Sequence, residues 1–322
     1  MQKVKNRKSP LLLFLAALIW GVAFVAQSVG MEYVGPFTFN AVRSVIGGIV
    51  LIPCIYFLDS RKKKEADQKM GLGTDCSGLE GSGQECRGKN ERTDSWKNKT
   101  LLTGGICCGI CLCIASNLQQ IGISYTTVGK AGFITAMYIV LVPVLGIFLK
   151  KGAGIRVWIS VALAVAGLYL LCMTEKFTLG KGDAYVLLCA LFFSFHILTI
   201  DHFSPMVDGV KMSCIQFLVS GVLSGILMLV FEQPRIGSIL SAWMPILYAG
   251  VMSCGVAYTL QIVGQKDMDP TVASLILSLE SVVSVLAGWA LLHQHLSMRE
   301  LLGCAVMFAA IVLAQLPEKG RA

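Results

Sequence analysis

The main pattern in this chain is a series of long apolar runs separated by short polar segments. Each run approaches the roughly 20 residues that an α-helix needs to cross a bilayer. The runs lack a polar stripe, as expected when lipid and protein contact opposite faces of a helix, and none alternates residue by residue like a membrane β-strand. The pattern predicts an all-α polytopic membrane protein with ten transmembrane helices, at 11–28, 37–58, 101–121, 128–149, 155–173, 184–200, 212–231, 239–262, 272–292 and 296–316.

The composition supports a membrane protein. Of the 322 residues, 55% are hydrophobic and only 14% are charged, whereas soluble domains have about 25% charged residues. The net charge of +8 would favour a nucleic-acid partner in a soluble protein. Here the positive residues concentrate in the loops of one membrane face, so no nucleic-acid partner is expected.

The distribution of Lys and Arg predicts the orientation in the membrane. With the N-terminus inside, most of the 27 Lys and Arg residues fall in inside segments. Four loop residues fall outside, namely Lys176, Lys181, Arg235 and Arg299. Because loops rich in Lys and Arg remain in the cytoplasm, both termini are predicted to be cytoplasmic, and the protein is expected in the plasma membrane.

An internal repeat divides the ten helices into two groups of five. Residues 118–149 align without gaps on 260–291, an offset of 142 residues, and the matches include Gln119 with Gln261 and Gly122 with Gly264. The aligned stretch covers the third and fourth helices and the eighth and ninth helices. Because five is odd, the second group crosses the membrane in the opposite sense. This predicts two inverted five-helix repeats with a substrate site near the midplane between them.

The predicted domain boundaries follow from the repeat. The chain divides into a cytoplasmic N-terminus at 1–10, a first five-helix repeat at 11–173, a second five-helix repeat at 184–316 and a cytoplasmic tail at 317–322. The first repeat contains a polar, Gly-rich loop at 59–99 that carries charges of both signs and almost no apolar residues. Such a segment cannot bury a core, so we expect it to be disordered.

The twelve cysteines do not indicate a disulfide framework. Ten of them lie in the apolar runs, where cysteine behaves as a small hydrophobic residue. The densest group, at 107–113, has no His or carboxylate beside it, so neither a metal nor another cofactor is expected. Cys76 and Cys86 lie in the polar loop, where they could pair or bind a metal, although a reduced cytoplasmic loop is the default expectation.

The first candidates for a functional site are Glu280 and Arg43, two charged residues well inside predicted helices. Glu280 stands near the middle of the ninth helix, where a carboxylate costs roughly 3 kcal/mol unless it faces protein or a wet cavity. It could bind an amine or a coupling proton, or it could serve helix packing alone. Arg43 lies in the second helix with Asn40 on the same face. It could hold a carboxylate, pair with an acid, or extend to the membrane interface.

Further polar and aromatic residues within the helices complete the candidate site. His196 could relay protons, or it could simply be hydrogen-bonded in the interior. Gln119 and Gln261 are favoured for a cavity because they occupy matched repeat positions, and the other polar or aromatic candidates are Trp20, Tyr138, Tyr258 and Trp289. For the two tryptophans, anchoring at the membrane interface is the alternative.

Several short motifs occur in order along the chain. They include Ala17-Leu18-Ile19-Trp20-Gly21, Phe39-Asn40-Ala41-Val42-Arg43, Gly129-Lys130-Ala131-Gly132-Phe133 and the stretch Ser274–Glu280. On these motifs the chain resembles the drug/metabolite transporter superfamily, EamA type, over nearly its whole length. The resemblance implies ten helices in two inverted repeats and transport of small metabolites. One departure is that the usual acid–proline pair is Glu280-Ser281 here, which removes an expected helix kink.

These observations favour a secondary transporter that works by alternating access and exports small organic metabolites such as amino acids, nucleosides or drug-like amphipathic compounds. The sequence contains no GxxxxGK[ST] motif, so energy would come from a proton or solute gradient. A membrane sensor or channel is the alternative, and an intramembrane enzyme is disfavoured because the ionisable residues are scattered over different helices. The expected partners are the lipid bilayer, a small-molecule substrate and protons as candidate coupling ion, with the protein a monomer or a homodimer.

Overall fold

A computed structural model describes residues 8–71, 96, 98–126, 128–150, 154–172, 180–266, 268–292 and 297–316. These residues form ten helical spans, which are α1 (Lys8–Gly30), α2 (Pro36–Gly71), α3 (Lys99–Ile123), α4 (Val128–Thr135 and Tyr138–Phe148), α5 (Ile155–Cys172), α6 (Lys181–Phe203), α7 (Gly209–Phe231), α8 (Ile236–Ser241, Trp243–Leu247, the π-helix Tyr248–Ala257 and Tyr258–Gln265), α9 (Pro270–Leu277 and Leu279–Leu292) and α10 (Met298–Gln315). Within these ranges nine spans are long and apolar enough to cross a membrane, and α5 is a shorter apolar helix. The prediction of an all-α membrane protein with ten spans is confirmed.

Polar residues fix where three of the spans begin. The side chain of Asn98 accepts a hydrogen bond from the first turn of α3, and that of Asp208 does the same for α7. Asp269 caps α9, whose first residue, Pro270, has no N–H that needs an acceptor. Each cap satisfies backbone N–H groups that the helix itself leaves unpaired, and so each loop ends at a defined residue.

The second span extends beyond its apolar part. α2 continues to Gly71, so the prediction that the whole segment 59–99 is disordered is wrong for residues 59–71. Eight of these thirteen residues are Lys, Arg, Glu, Gln or Ala, which all favour helices, and Arg61 and Lys63 each stand four positions before an acid. The rest of the predicted loop, including Cys76 and Cys86, lies outside the described residues apart from Trp96, Asn98 and the start of α3.

Helix packing follows an inverted repeat. α2 packs against α7 and α5 packs against α10, so each of these spans contacts its own counterpart in the other half. The contact of α3 with α6 is matched by that of α8 with α1, and the contact of α3 with α7 is matched by that of α8 with α2. A pseudo-two-fold axis that passes between α2 and α7 and between α5 and α10 accounts for these pairs.

Matched glycines let α2 and α7 cross closely. When the two helices are aligned from their first residues, Gly48 pairs with Gly221 and Val45 pairs with Leu218. A Cβ atom at Gly48 would lie 2.9 Å from Leu218 Cδ2, and one at Gly221 would lie 3.0 Å from Val45 Cγ2. The same close contact therefore occurs twice, once on each side of the axis.

An extra residue in α8 shifts the register between the halves. A Cβ atom at Gly109 of α3 would lie 2.9 Å from the backbone oxygen of Gln216, and one at Gly250 of α8 would lie 3.1 Å from that of Arg43. These matched glycines are 141 residues apart. Further along the repeat, the counterparts Tyr138 and Glu280 are 142 residues apart. The π-helix Tyr248–Ala257 spans this change of register, because its wider turn accommodates one inserted residue.

The spans α4 and α9 are interrupted at matched positions. The first segment of α4 ends at Thr135 and that of α9 ends at Leu277, which are separated by the repeat offset. The absence of a proline after Glu280 suggested an unbroken α9, but the helix is interrupted at Ser278 even without that proline. Ser274 Oγ and Ser278 Oγ each donate a hydrogen bond to the backbone oxygen three residues earlier, and such bonds bend helices without a proline.

Candidate functional site

A central cavity lies where the two halves meet. Residues of α1, α2, α3, α4, α6, α8 and α9 line it, so both repeats contribute to its wall. Eight of the ten side chains selected from the sequence lie around this cavity: Trp20, Arg43, Gln119, Tyr138, His196, Tyr258, Gln261 and Glu280. The cavity has a volume of about 40 Å³, which is room for roughly three waters. The cavity must therefore widen before it can hold an organic solute.

A hydrogen bond between counterpart residues crosses the cavity wall. The Tyr138 hydroxyl donates to Glu280 Oε1 over 3.0 Å, and both side chains are buried. The two residues are 142 positions apart, which is the offset of the repeat. A side chain can meet its own counterpart only at the pseudo-two-fold axis. The pair therefore marks the axis, at the start of the second segments of α4 and α9.

Close packing holds Glu280 in this position. A Cβ atom at Gly21 of α1 would lie 2.8 Å from the backbone oxygen of Glu280, so no larger residue fits between α1 and α9 there. On the other side, Ser281 Oγ donates a hydrogen bond to the backbone oxygen of Gly132 over 3.1 Å and ties α9 to α4. These contacts fix the backbone that carries the carboxylate, so its placement at the cavity does not depend on the side-chain rotamer alone.

Arg43 brings an uncompensated positive charge to the cavity. Its side chain is only 5% exposed, and its guanidinium lies 5.5 Å from the centre of the Phe39 ring. Among the described residues, no acid forms an ion pair with Arg43, and its Nε has no hydrogen-bond partner. Because an isolated buried charge is costly, this guanidinium is a strong candidate to hold an anionic group of a ligand.

Aromatic rings form one side of the cavity. The rings of Trp20 and Tyr258 are tilted by 60° with their centroids 4.6 Å apart. The imidazole of His196 meets the Tyr258 ring edge-on at 5.9 Å, and its Nε2 lies 3.0 Å from Gln216 Oε1. Such a wall offers flat, weakly polar surface to an apolar or aromatic part of a solute.

Several buried polar atoms in the wall lack a partner within the part of the chain that the structure describes. They are Trp20 Nε1, Gln27 Oε1, Arg43 Nε, His196 Nδ1 and Gln261 Oε1. Buried polar groups in proteins are nearly always hydrogen-bonded, so an unpaired set that converges on one cavity indicates a place for water or for a polar ligand.

Comparison with protein families decides the class of protein. The sequence model of the EamA-like transporter family matches residues 7–73 and 180–316, which make up more than half of the chain. The chain belongs to the EamA-like transporter family. This family is part of the drug/metabolite transporter superfamily and typically has two repeats of five helices. The resemblance and the inverted repeat expected from the sequence are thus confirmed.

Known proteins agree with this assignment. An uncharacterized transporter of Archaeoglobus fulgidus is 28% identical over 314 residues, which cover 97% of this chain and 87% of that protein. The uncharacterized transporter YoaV of Bacillus subtilis (strain 168) is 21% identical over 302 residues, 92% of each. One solved crystal structure, 18% identical, matches 97% of both chains with a TM-score of 0.71 and supports the fold. These relatives point to a multi-pass transporter with a small-molecule substrate rather than to an enzyme.

Two of the ten selected residues of this EamA-like transporter lie outside the cavity wall. Asn40 is buried one turn before Arg43, and its Nδ2 donates to Ser116 O and to Asn117 Oδ1, each over 3.0 Å. It therefore joins α2 to α3. The expectation that Trp289 lines the cavity is wrong, because its side chain is 53% exposed. Nine residues after Glu280, it stands about half a turn round α9 and faces outward.

Six wall residues of this EamA-like transporter were not selected from the sequence: Phe24, Gln27, Phe193, Ile197, Ser253 and Leu277. Most are apolar residues in apolar helices, so their chemistry does not distinguish them from the lipid-facing positions. An alignment of α1 with α6, which are both 23 residues long, would have found one of them, Phe193, from the selected Trp20. It pairs Trp20 with Phe193 and Phe24 with Ile197. Within the described residues, no group of three His, Cys, Asp or Glu side chains could hold a metal ion.

Proposed function

We propose that this protein is a secondary transporter that exports small organic metabolites by alternating access around the central cavity. It lies in the plasma membrane with both termini in the cytoplasm, as the distribution of Lys and Arg favours. The observation that carries the proposal is the set of unpaired polar atoms that converge on a cavity at the pseudo-two-fold axis. Inverted-repeat transporters bind their substrates at this kind of site.

The charges around the cavity favour solutes that carry both an amine and a carboxylate. Arg43 and Glu280 line the same cavity without forming an ion pair with each other. The guanidinium is suited to a carboxylate, and the carboxyl group of Glu280 is suited to an amine. The aromatic wall at Trp20 and Tyr258 adds affinity for an apolar side chain. Amino acids combine these features, whereas nucleosides and drug-like amphipathic compounds would use the aromatic wall and only one of the charges.

The matched interruptions of α4 and α9 favour a rocking mechanism. Each span is interrupted beside the axis, so its two segments could tilt separately while Tyr138 and Glu280 remain in contact. Rocking of one repeat against the other would then open the cavity to one membrane face at a time. Because the sequence has no nucleotide-binding motif, a proton or solute gradient would drive the cycle. Glu280 is the candidate proton carrier.

The experiment that tests this proposal is solute exchange in proteoliposomes. Purified protein would be reconstituted, and uptake of a radiolabelled panel of amino acids, nucleosides and one amphipathic dye would be measured with and without a pH gradient. We expect saturable, pH-gradient-dependent uptake of at least one amino acid, and loss of that dependence in Glu280→Gln. Absence of uptake for the whole panel in vesicles with correctly inserted protein would argue against the proposal, and so would ion conductance at channel rates.

A further inference from the structure

The pair formed by α2 and α7 is tied at both ends by carboxylates. At one end Glu232, which follows α7, accepts hydrogen bonds from Phe37 N over 2.9 Å and from Thr38 N over 2.8 Å. At the other end a carboxylate oxygen of Asp59 lies 2.9 Å from the Lys211 ammonium. In both places an acid beyond the apolar part of one span contacts the first turn of the other.

These two contacts are counterparts in the inverted repeat. Alignment of α2 and α7 from their first residues pairs Asp59 with Glu232 and Thr38 with Lys211. The rise from Thr38 to Asp59 along α2 is roughly 32 Å at 1.5 Å per residue. This length is close to the hydrocarbon thickness of a bilayer, about 30 Å. The contacts therefore lie at opposite faces of the membrane, one at each end of the same helix pair.

The end at Glu232 depends on a carboxylate supplied by the other half. α7 begins with its own cap, because Asp208 Oδ1 accepts from Val210 N and Lys211 N over 3.0 Å each. The counterpart of Asp208 in α2 is Gly35, which has no side chain to cap the helix. Gly35 leaves the space that Glu232 fills, since a Cβ atom there would lie 2.6 Å from Glu232 Oε2. The first turn of α2 is thus completed only while α7 is near.

The end at Lys211 depends on a shielded ion pair. The side chain of Lys211 is only 3% exposed, and that of Asp59 is 40% exposed. The ammonium also lies 5.9 Å from the centre of the Trp96 ring. Because the Lys211 ammonium is nearly removed from water, its contact with Asp59 is shielded from solvent. This end therefore also favours contact between α2 and α7, by different chemistry.

We propose that the Glu232 contact and the Asp59–Lys211 contact are two opposing latches, each of which holds the α2–α7 pair closed at one membrane face. The inference rests on the alternating-access function proposed above, because it requires the pair to separate at one end at a time. α2 carries Arg43, and α7 carries Gln216, the partner of His196. Separation at either end therefore moves groups of the cavity wall. Both latches are engaged in this structure, in keeping with the narrow cavity.

Hydrogen–deuterium exchange of the full-length protein in lipid nanodiscs tests each latch separately. Glu232→Ala should speed exchange of the amides around Phe37 and Thr38 by about tenfold, because a backbone bond to a charged acceptor is lost. Exchange around Lys211 should not change. Lys211→Met should give the reverse pattern. Glu32→Ala and Lys266→Met, which alter exposed charges, are the matched controls and should alter neither end.

Two further variants guard against general destabilisation. Gly35→Ala keeps the Glu232 carboxylate but displaces it, so it should reproduce the pattern of Glu232→Ala. Thr38→Val removes only the hydroxyl that donates to Glu232 over 2.5 Å and should give a smaller change at the same end. Equal acceleration at both ends, loss of protection throughout α5 and α10, or no change at either end would each overturn the latches.

The exchange readout needs no substrate, so it separates this inference from the proposed function. If no solute is transported but the exchange remains side-specific, the latches stand and the transport proposal fails. A transport assay can show the reverse result, in which the protein transports a solute but the latches do not exist. Glu232→Ala and Lys211→Met should shift the ratio of apparent affinities for uptake and efflux in opposite directions, each by about tenfold. Normal transport with a wild-type ratio in both variants would overturn the latches while leaving the transporter intact.

Discussion

The two halves of this EamA-like transporter have the same backbone plan but different chemistry at the cavity. Tyr138 and Glu280 are counterparts, yet only one of them is an acid. Arg43 of α2 has Gln216 of α7 as its counterpart, so the positive charge also occurs in only one half. Two copies of one scaffold therefore bring a basic side chain and an acidic side chain to a shared cavity. The comparison shows that duplication supplied the shape of the cavity and that divergence supplied its polarity.

Away from the cavity the halves keep equivalent contacts with different residues. Asn40 Nδ2 donates to Asn117 Oδ1 over 3.0 Å between α2 and α3. At the counterpart positions, Thr259 Oγ1 donates to Ser213 Oγ over 3.0 Å between α8 and α7. A polar contact in this place ties neighbouring spans together where the hydrophobic effect cannot. These structural positions thus preserve the interaction, whereas the cavity positions of Arg43 and Glu280 have diverged from their counterparts.

The largest effect is expected when Arg43 is replaced by glutamine, the residue at its counterpart position 216. Arg43→Gln should lower uptake of carboxylate-bearing solutes by about 100-fold, because a bond between two charged groups contributes about 3 kcal/mol. Solutes without a carboxylate should lose much less. Uptake kinetics in proteoliposomes measure this, with Lys266→Gln as the exposed control. Similar losses for both solute classes would indicate that Arg43 supports the structure and does not recognise the carboxylate.

A second test compares the matched helix crossing. Gly48→Ala and Gly221→Ala should each destabilise the protein by about 2 kcal/mol, because each added methyl group presses on a side chain in an already close contact. The two costs should be equal within error if the halves are equivalent there. Denaturant titration of the protein in detergent gives the free energy of unfolding of each variant. Gly225→Ala, which meets no atom within 4 Å, is the control.

A third test removes the hydrogen bond on the axis. Tyr138→Phe keeps the ring but loses the hydroxyl that donates to Glu280 Oε1. We expect transport to fall about tenfold, the amount for one hydrogen bond to an ionisable group, with a change in the pH profile of uptake. A fall in rate with an unchanged pH profile would separate the Tyr138 hydroxyl from the titration of Glu280.

The smallest effect is expected at the two tryptophans that the sequence did not distinguish. Trp289→Phe should change uptake by less than about twofold, because exposed substitutions usually cost less than 0.5 kcal/mol. Trp20→Phe should reduce affinity by about threefold, because it removes a wall atom, Nε1, that has no protein partner within the described residues. Apparent KM values for one solute measure both. Equal effects would contradict the placement of Trp20 in the cavity and Trp289 at the surface.

The sequence predicted the spans and the repeat because both depend on patterns that extend over many residues. Hydrophobic runs of the required length fixed ten helices, and the matched Gln119 and Gln261 fixed the offset. Polar residues in apolar helices were also informative, because burying them in lipid is costly. For that reason Arg43, His196 and Glu280 were found before their spatial relation was known.

Features that depend on local backbone geometry were not predicted. The interruption of α9 was missed because the proline that would have indicated it is absent, while serine hydroxyls that bond to the backbone give a weaker signal. Trp289 was misplaced because α9 is apolar on nearly all sides, so its sequence does not indicate which face points into the protein. Phe24 and Leu277 were missed for the same reason. The extension of α2 to Gly71 was also not predicted, because the polar residues there suggest disorder although they also favour a helix.

The π-helix Tyr248–Ala257 limits how far the ancestral equivalence of the halves can be restored. The one extra residue there changes the register between α3 and α8 by one position. A segment copied from α3 into α8 would therefore match the native helix on one side of the π-helix and be rotated by about 100° about the helix axis on the other side. The eighth span can therefore accept substitutions from its counterpart only on one side of the π-helix at a time. A chimera that respects this boundary keeps its glycine crossings, and one that ignores it turns lipid-facing side chains into the cavity.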